Sequence, residues 1–343
     1  MKLIKTQDAV GQVLCHDMTR IVKGVIKDTA FLRGHVVTEE DIPVLLSIGK
    51  DNIYIYENDE SMLHENDAAE IMRQVCMGSN PAIRPGGVKE GKIEMFAEAD
   101  GLFKVDVERL NRINAIENVM IATRHNNYPV KKGDKLAGTR VIPLVIEKEI
   151  MERVLAEGGG APLIDIVPFK KFKAGIVTTG NEVYYERIED TFTPVIFEKL
   201  KPFDIEVIGH KKVYDDTQLI RDSILELIND GADLIICTGG MSVDPDDLTP
   251  GGIKATGADI VSYGSPVLPG AMFLLAYYDG RIPIMGLPGC VMFAKATILD
   301  IILPRVLAGE KIERKDISSL GGGGLCLSCE QCIYPLCGLG KGV

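Results

Sequence analysis

The sequence predicts an α/β protein: a three-layer domain on a mostly parallel sheet, preceded by a smaller mixed α/β region and followed by a Cys-rich tail. Three observations carry this. From Lys173 onward, apolar strand-like runs alternate with amphipathic helical ones, the pattern of a parallel sheet covered on both faces. Before that point the apolar runs are shorter and of mixed period. After Gly321-Gly322-Gly323-Gly324, four cysteines crowd into the end of the chain. At 343 residues the chain exceeds one ordinary domain and suits two with an appendage. The expected divisions are 1–160, 161–312 and 313–343.

In chain order, Glu39-Glu40-Asp41 followed by Ile42, Val44-Leu45-Leu46 and Ile48, and ending at Gly49, reads as a helix that leads into a strand from Ile53 to Tyr56. Asp67 to Val75 is a second short amphipathic helix, Lys135 to Ile146 a strand pair, and Lys148 to Ala156 a connecting helix. Gly158-Gly159-Gly160-Ala161-Pro162 interrupts regular structure and marks a boundary. The regular part then reads as strand Lys173–Thr178, helix Thr193–Leu200, strand Asp204–Val213, helix Thr217–Asn229 and strand Ala232–Cys237. Strand-like runs follow at Asp259–Val261, Met272–Tyr278 and Ile282–Met285, and a long helix is expected from Cys290 to Leu303, stopping at Pro304.

The formal net charge of −11 argues against a nucleic-acid surface or an anionic membrane as the partner. An anion must then be held locally, by backbone amides, helix N-termini or a bridging cation. Met1 to Lys5 runs straight into Thr6-Gln7-Asp8 without the apolar segment of a secretory signal. The most apolar stretch, Ile282 to Leu303, is broken by Pro283, Pro288, Lys295 and Asp300, short of the ~18 uncharged residues of a membrane span. A cytoplasmic location is expected.

In open α/β sheets ligands gather where the strands end, so the residues that follow each strand are the informative ones. The first strand leads into Thr178-Thr179-Gly180-Asn181-Glu182, and the third into Thr238-Gly239-Gly240-Met241-Ser242, continuing through Asp244, Asp246 and Asp247 to Thr249-Pro250. The strand before the last helix leads into Gly286-Leu287-Pro288-Gly289-Cys290. Each loop also has an ordinary structural reading, as a tight turn or, at Thr249-Pro250, as an N-cap with proline in the first turn. Together they place backbone that a phosphate can approach at equivalent sheet positions. Glu182, Asp215, Asp216, Asp244, Asp246 and Asp247 crowd the same edge. Bare carboxylates repel a phosphate, and a Mg²⁺ held by one or two of them removes that conflict. For Asp216 and Asp246, helix capping or solvent exposure is the favoured reading.

Those loops, in this order, resemble the molybdenum-cofactor biosynthesis (molybdopterin-binding) domain of molybdopterin adenylyltransferases, molybdotransferases and gephyrin-like proteins. Thr179-Gly180-Asn181-Glu182 is similar to the family's Thr-Gly-Asp/Asn-Glu segment, and Val213 to Asp216 to its aspartate after the second strand. Gly239-Gly240-Met241-Ser242 resembles the Gly-Gly-x-Ser loop of molybdotransferases. Asp247-Leu248-Thr249-Pro250 resembles the Asp-x-Thr-Pro of adenylyltransferases, and Leu287-Pro288-Gly289-Cys290 the late Leu-Pro-Gly-Asn/Cys loop. The resemblance spans Lys171 to Leu307. It implies molybdopterin as ligand or substrate, its phosphate cradled by Thr179, Gly180, Asn181, Gly239, Gly240, Ser242, Thr249, Pro288 and Gly289. It also implies Glu182 and Asp247 as Mg²⁺-associated catalytic residues, with Asp215 third. The implied function is molybdenum-cofactor synthesis or maturation by molybdate insertion, with molybdopterin or its adenylylated form and molybdate as small-molecule partners, a recipient molybdoenzyme as a further partner, and self-association as in relatives. A non-catalytic carrier or insertion chaperone, and a competence-damage-type hydrolase of ADP-ribose-like nucleotides, are the alternatives.

The chain departs from the molybdotransferase pattern. The Met-Asp-Gly-Tyr-Ala and Thr-Gly-Ala motifs have no counterpart in residues 1–150, Pro269-Gly270-Ala271-Met272 lacks the lysine of Pro-Gly-Lys-Pro, and Asp244 stands where glycine is usual. The family's usual following domain is not seen. These losses bear on catalysis more than on binding.

Cys326, Cys329, Cys332 and Cys337 follow the spacing C-x₂-C-x₂-C-x₄-C. Crowded thiolates suit one Zn²⁺ or a small cluster, and the run nearly reproduces the C-x₂-C-x₂-C-x₃-C-P of bacterial [4Fe–4S] ferredoxins. Zn²⁺, [4Fe–4S] and an unmetallated redox-labile tail stay open at this point. The glycine run predicts a tail free to swing. Cys15, Cys76, Cys237 and Cys290 sit among apolar neighbours and read as small core residues.

Overall fold

The computed structural model of the chain describes residues 2–22, 26–55 and 59–342. Tyr56, expected at the end of a strand, lies outside the described residues, as do Met1 and Val343 at the ends of the expected divisions. The described chain divides into two compact units, residues 1–98, 105–124 and 132–165 in the first, and 99–104, 125–131 and 166–343 in the second.

The first unit holds an antiparallel four-stranded sheet in the order Ile83–Pro85, Lys92–Ala97, Lys135–Val141, Val119–Thr123. The expected pair within Lys135–Ile146 is therefore two separate strands, the second of which, Val145–Glu147, pairs with Met62–His64. Helix Glu65–Met77 buries Ala68, Ala69, Met72, Val75 and Cys76 along one stripe, the i, i+3, i+4 repeat of a core-facing helix. His64 begins it by accepting a hydrogen bond from the Asn66 amide. A smaller core of Ala9, Leu14, Met18, Val37, Leu45 and Ile53 gathers around the expected helix, here Asp41–Ser47, and the strand Asn52–Ile55.

The second unit is built on strands β1 (Lys173–Thr179), β2 (Glu206–Val213), β3 (Leu234–Thr238), β4 (Asp259–Tyr263), β5 (Leu274–Tyr278) and β6 (Ile282–Leu287). The sheet order is β2-β1-β3-β6-β5-β4. β1, β2, β3 and β6 run parallel, β5 antiparallel to β6, and β4 antiparallel to β5. Two-residue alternation sorts each strand between two cores. Ala174, Ile176, Leu234, Ile236, Leu275, Met285 and Leu287 face one layer, with α1 (Phe192–Leu200) and α4 (Ile298–Leu307). Val177, Ile235, Cys237, Leu274, Ala276 and Ile284 face the other, with α2 (Thr217–Asn229) and α3 (Thr249–Ala255). Two strand glycines let α2 approach: a Cβ at Gly175 or Gly209 would sit 2.9 or 2.5 Å from Leu227 side-chain carbons.

One helix differs from expectation. The segment after β6 makes a 3₁₀ turn, Gly289–Met292, and the helix starts only at Ile298. Thr297 caps it, and Asp300 closes the capping box by accepting from the Thr297 amide at 2.7 Å, a start signal stronger than the continuous apolar run upstream. Pro304 lies inside this helix rather than ending it. Its missing N–H leaves the carbonyl of Asp300, four residues earlier, without a helical donor, and the Tyr334 hydroxyl supplies one at 2.9 Å.

That hydrogen bond belongs to a set that docks the tail. Leu268 and Leu325 form a β-bridge, with the Leu268 amide on the Gly324 carbonyl and the Cys326 amide on the Leu268 carbonyl, both at 2.8 Å. Leu320 and Leu339 are buried in the α1/α4 core. The Lys341 ammonium lies 4.4 Å from the Tyr128 ring centroid. The tail is thus seated on its unit instead of swinging on its glycines.

Tyr334→Phe should cost about 1–2 kcal/mol in equilibrium denaturation, because the Asp300 carbonyl loses its donor. In a Pro304→Ala background the helix supplies its own amide, so the same change should cost clearly less. Equal costs in the two backgrounds would show that the hydroxyl does not serve this carbonyl.

Candidate functional site

The parallel register aligns the strand ends. Thr178 pairs with Thr238 and Thr238 with Leu287, while Thr179 pairs with Val213. The loops that begin at Gly180, Tyr214, Gly239 and Pro288 therefore leave one rim of the sheet side by side. A ladder of hydroxyls lies beneath them: Thr179 Oγ1 is 2.9 Å from Thr249 Oγ1, and Thr178 Oγ1 is 3.0 Å from both Thr193 Oγ1 and His210 Nε2. Thr249 opens α3 as its first helical residue rather than as the N-cap, and its hydroxyl turns to Thr179 instead of the helix amides.

The double glycine is a steric requirement. Gly239 has φ +84°, and a Cβ there would fall 2.1 Å from the Thr179 carbonyl oxygen; at Gly240, φ +52°, it would meet Thr249 Oγ1 at 2.9 Å and Asp215 Oδ1 at 3.3 Å. Backbone of the third loop thus passes directly over the first. Tyr263 fixes the next stretch by donating to the carbonyls of Met241 (2.9 Å) and Ser242 (3.1 Å). Ser242 itself is exposed, and Gly289 faces open space.

Asp215 sits at the centre of this arrangement. Its Oδ2 accepts from the Asn181 amide at 3.0 Å. Its Oδ1 is buried and has no hydrogen-bond partner among the described residues. Burial pushes the Asp215 carboxyl above its ordinary value, and the negative charges of Glu182, Asp247 and Asp246 push it further in the same direction, against the hydrogen bond from Asn181. Glu182 and Asp246 are exposed and Asp247 half-buried. Asp216 is a helix cap, accepting from the Leu219 amide at 2.8 Å. Asn181 and Asp215 are paired both ways, because the Asp215 amide also donates to Asn181 Oδ1 at 3.4 Å.

Residues 175–308 match the family described as "Probable molybdopterin binding domain". Residues 175–308 form a molybdopterin-binding-family domain. Residues 3–57 match a separate family described as a domain of unknown function. A molybdopterin adenylyltransferase of Pyrococcus furiosus is 27% identical over 151 residues, covering 40% of this chain and 88% of the relative. A competence-damage inducible protein of Bacillus mycoides is 35% identical over 83 residues, 24% of this chain and 20% of the relative, so the chain spans about a fifth of that protein. The solved tungsten cofactor synthesizing protein MoaB of Pyrococcus furiosus aligns with 24% identity and a TM-score of 0.33, covering 40% of this chain and 92% of that one.

In this molybdopterin-binding-family domain the geometry joins Thr179, Asn181, Asp215, Gly239, Gly240 and Thr249 through the contacts above, with Gly180, Pro288 and Gly289 in the loops at the same strand ends. Sequence reasoning missed three tyrosines beside them. Tyr184 packs edge-on to Tyr185 and Tyr214 at 5.2 Å, Tyr185 stacks on Tyr214 at 6.5 Å, and all three stay partly exposed. The available signal was their sequence position, two and three residues after Glu182 and directly before Asp215.

Among the described residues no three His, Cys, Asp or Glu side chains are placed to hold one metal ion. In the tail, Cys326 and Cys337 are half-buried against the core, whereas Cys329 and Cys332 are exposed. No helix among the described residues is long and apolar enough to cross a membrane.

A raised carboxyl in the folded state means that the folded protein binds this proton more tightly than the unfolded chain. Its stabilising contribution is present at low pH and is lost as pH rises from the ordinary carboxylate range through the raised value. In chelator-treated protein, Asp215→Asn should therefore be more stable than the parent at neutral pH, with the difference shrinking as pH falls; unfolding midpoints across pH 3 to 8 (roughly the range over which carboxyls titrate) check this. Gly239→Ala should cost about 2 kcal/mol or more, and a neutral result would mean that the loop does not lie on Thr179.

Proposed function

We propose that residues 161–312 bind molybdopterin at this rim and act in molybdenum-cofactor synthesis or maturation, by Mg²⁺-dependent molybdate insertion. The observation that carries the reading is the unpartnered Asp215 Oδ1, buried where the Thr179-Gly180 and Gly239-Gly240 loops cross. A buried carboxylate oxygen without a donor is costly. A hard cation is a partner that would relieve both this atom and the repulsion from Glu182 and Asp247. Glu182 and Asp247 are the residues that would hold Mg²⁺, with phosphate oxygens completing its shell. When bound, it would neutralise and orient a phosphate.

The chain's own groups then have distinct roles. Gly239 and Gly240 bring backbone close to the ligand's phosphate, the Thr179–Thr249 pair holds the two loops at one spacing, and Tyr184, Tyr185 and Tyr214 offer faces to a planar ring. Nucleotidyl transfer is a second reading, favoured by Asp247-Leu248-Thr249-Pro250 and by the adenylyltransferase relative.

The test supplies the full chain with molybdopterin and Mg²⁺, adding molybdate in one arm and ATP in another, and measures binding separately from product. Glu182→Ala and Asp247→Ala should lower turnover on the order of 100-fold or more while pterin affinity changes little. Product only in the ATP arm selects nucleotidyl transfer. Binding and delivery unaffected by both substitutions selects a carrier, and pterin-independent ADP-ribose turnover selects a hydrolase of the competence-damage type.

A further inference from the structure

A cavity of about 390 Å³ opens beside the docked tail, and all four tail cysteines line it. We propose that this cavity seats a [4Fe–4S] cluster ligated by Cys326, Cys329, Cys332 and Cys337. Two independent observations meet here: the C-x₂-C-x₂-C-x₄-C spacing and the shared wall of one cavity.

Spacing and cavity volume favour a cluster over a single ion. Tetrahedral Zn²⁺ with Zn–S near 2.3 Å needs its four sulfurs roughly 3.8 Å apart, closed around a point. All four thiols here line one cavity of about 390 Å³, more room than a single ion fills, and C-x₂-C-x₂-C places three of them within seven residues. In a cubane each thiolate binds a different iron, so the sulfurs stand farther apart with the inorganic core between them. The C-x₂-C-x₂-C run would supply three such corners from one segment, and Cys337, three residues after Tyr334 in the chain, the fourth.

The frame that positions them is already built. Cys326 is pinned through its amide to the Leu268 carbonyl at 2.8 Å, Tyr334 is pinned to the Asp300 carbonyl, and Cys326, Tyr334 and Cys337 pack on the α1/α4 core. Cys329 and Cys332 lie on the exposed segment between these anchors, the part able to close over a cluster. Phe293, 84% exposed, and Leu327, 80% exposed, stand at the cavity; once a cluster fills it they become the apolar shell that limits water at the sulfides. Ligation replaces four thiol protons, which leave to solvent. Phe293 to Ala296 also line the cavity and follow the Leu287-Pro288-Gly289-Cys290 loop in the chain, so the cluster would stand next in sequence to one loop of the rim.

The experiment purifies the full chain anaerobically, incubates it with ferric iron, sulfide and dithiothreitol, and desalts it. Iron and acid-labile sulfide should each reach about four per chain, with a broad visible absorption that dithionite bleaches. The Cys329→Ser/Cys332→Ser variant, altered only at exposed positions, should keep the parent's circular dichroism and lose most of the iron and sulfide. Low-temperature electron paramagnetic resonance of the dithionite-reduced parent gives a readout that needs no variant, and a spectrum of a reduced [4Fe–4S] centre is expected. Zinc without sulfide, no retained metal, or equal iron in parent and variant overturns the proposal.

Discussion

The in-register parallel pairing of Thr178, Thr238 and Leu287 is the constraint on which the site depends. Parallel strands in one register end together, and so whatever follows them shares a rim. The pairing alone would leave separate loops. Gly239 and Gly240 convert them into one surface, because without side chains they lie against the Thr179 carbonyl and the Thr179–Thr249 hydroxyl pair. The same sheet separates the two apolar layers, so the rim is held by packing on both faces and not by loop contacts alone.

In the proposed function, an acidic chain would accommodate an anion by local means. Long-range field is unfavourable at a net charge of −11, and the carboxylates nearest the glycines make it more so. Asp215 absorbs that conflict: its carboxyl is raised by burial and by its acidic neighbours, and one oxygen has no donor. Such a group favours either a proton or a cation, and in the proposed function the cation would couple ligand binding at the rim to divalent-metal supply. The aromatic group of Tyr184, Tyr185 and Tyr214 adds an exposed apolar face beside the charges.

Local signals made much of this legible. Helix Thr217–Asn229 coincides with its expected span because Asp216 caps it and its apolar stripe is regular. The ends of β1, β3 and β6 were legible to within two residues because each lies at a glycine-bearing turn. The segment from Cys290 was misread because an unbroken apolar stretch hides its start, although Thr297 and Asp300 carried a capping signal. Pro304 reads as a stop because its compensation is not local: the donor to the Asp300 carbonyl is Tyr334, 34 residues on in the chain. The docking of the tail was illegible for the same reason, since its glycines allow flexibility and only the Leu268–Leu325 bridge and the buried Leu339 remove it. Contacts between elements, rather than propensities within them, decided each of these cases.

Hydrogen exchange with molybdopterin and Mg²⁺ present tests the shared rim most directly. The account predicts that amides in 180–182, 239–242 and 288–290 gain protection together on binding. Protection confined to one of these loops, or located elsewhere in the chain, would contradict a single pocket at the ends of these strands.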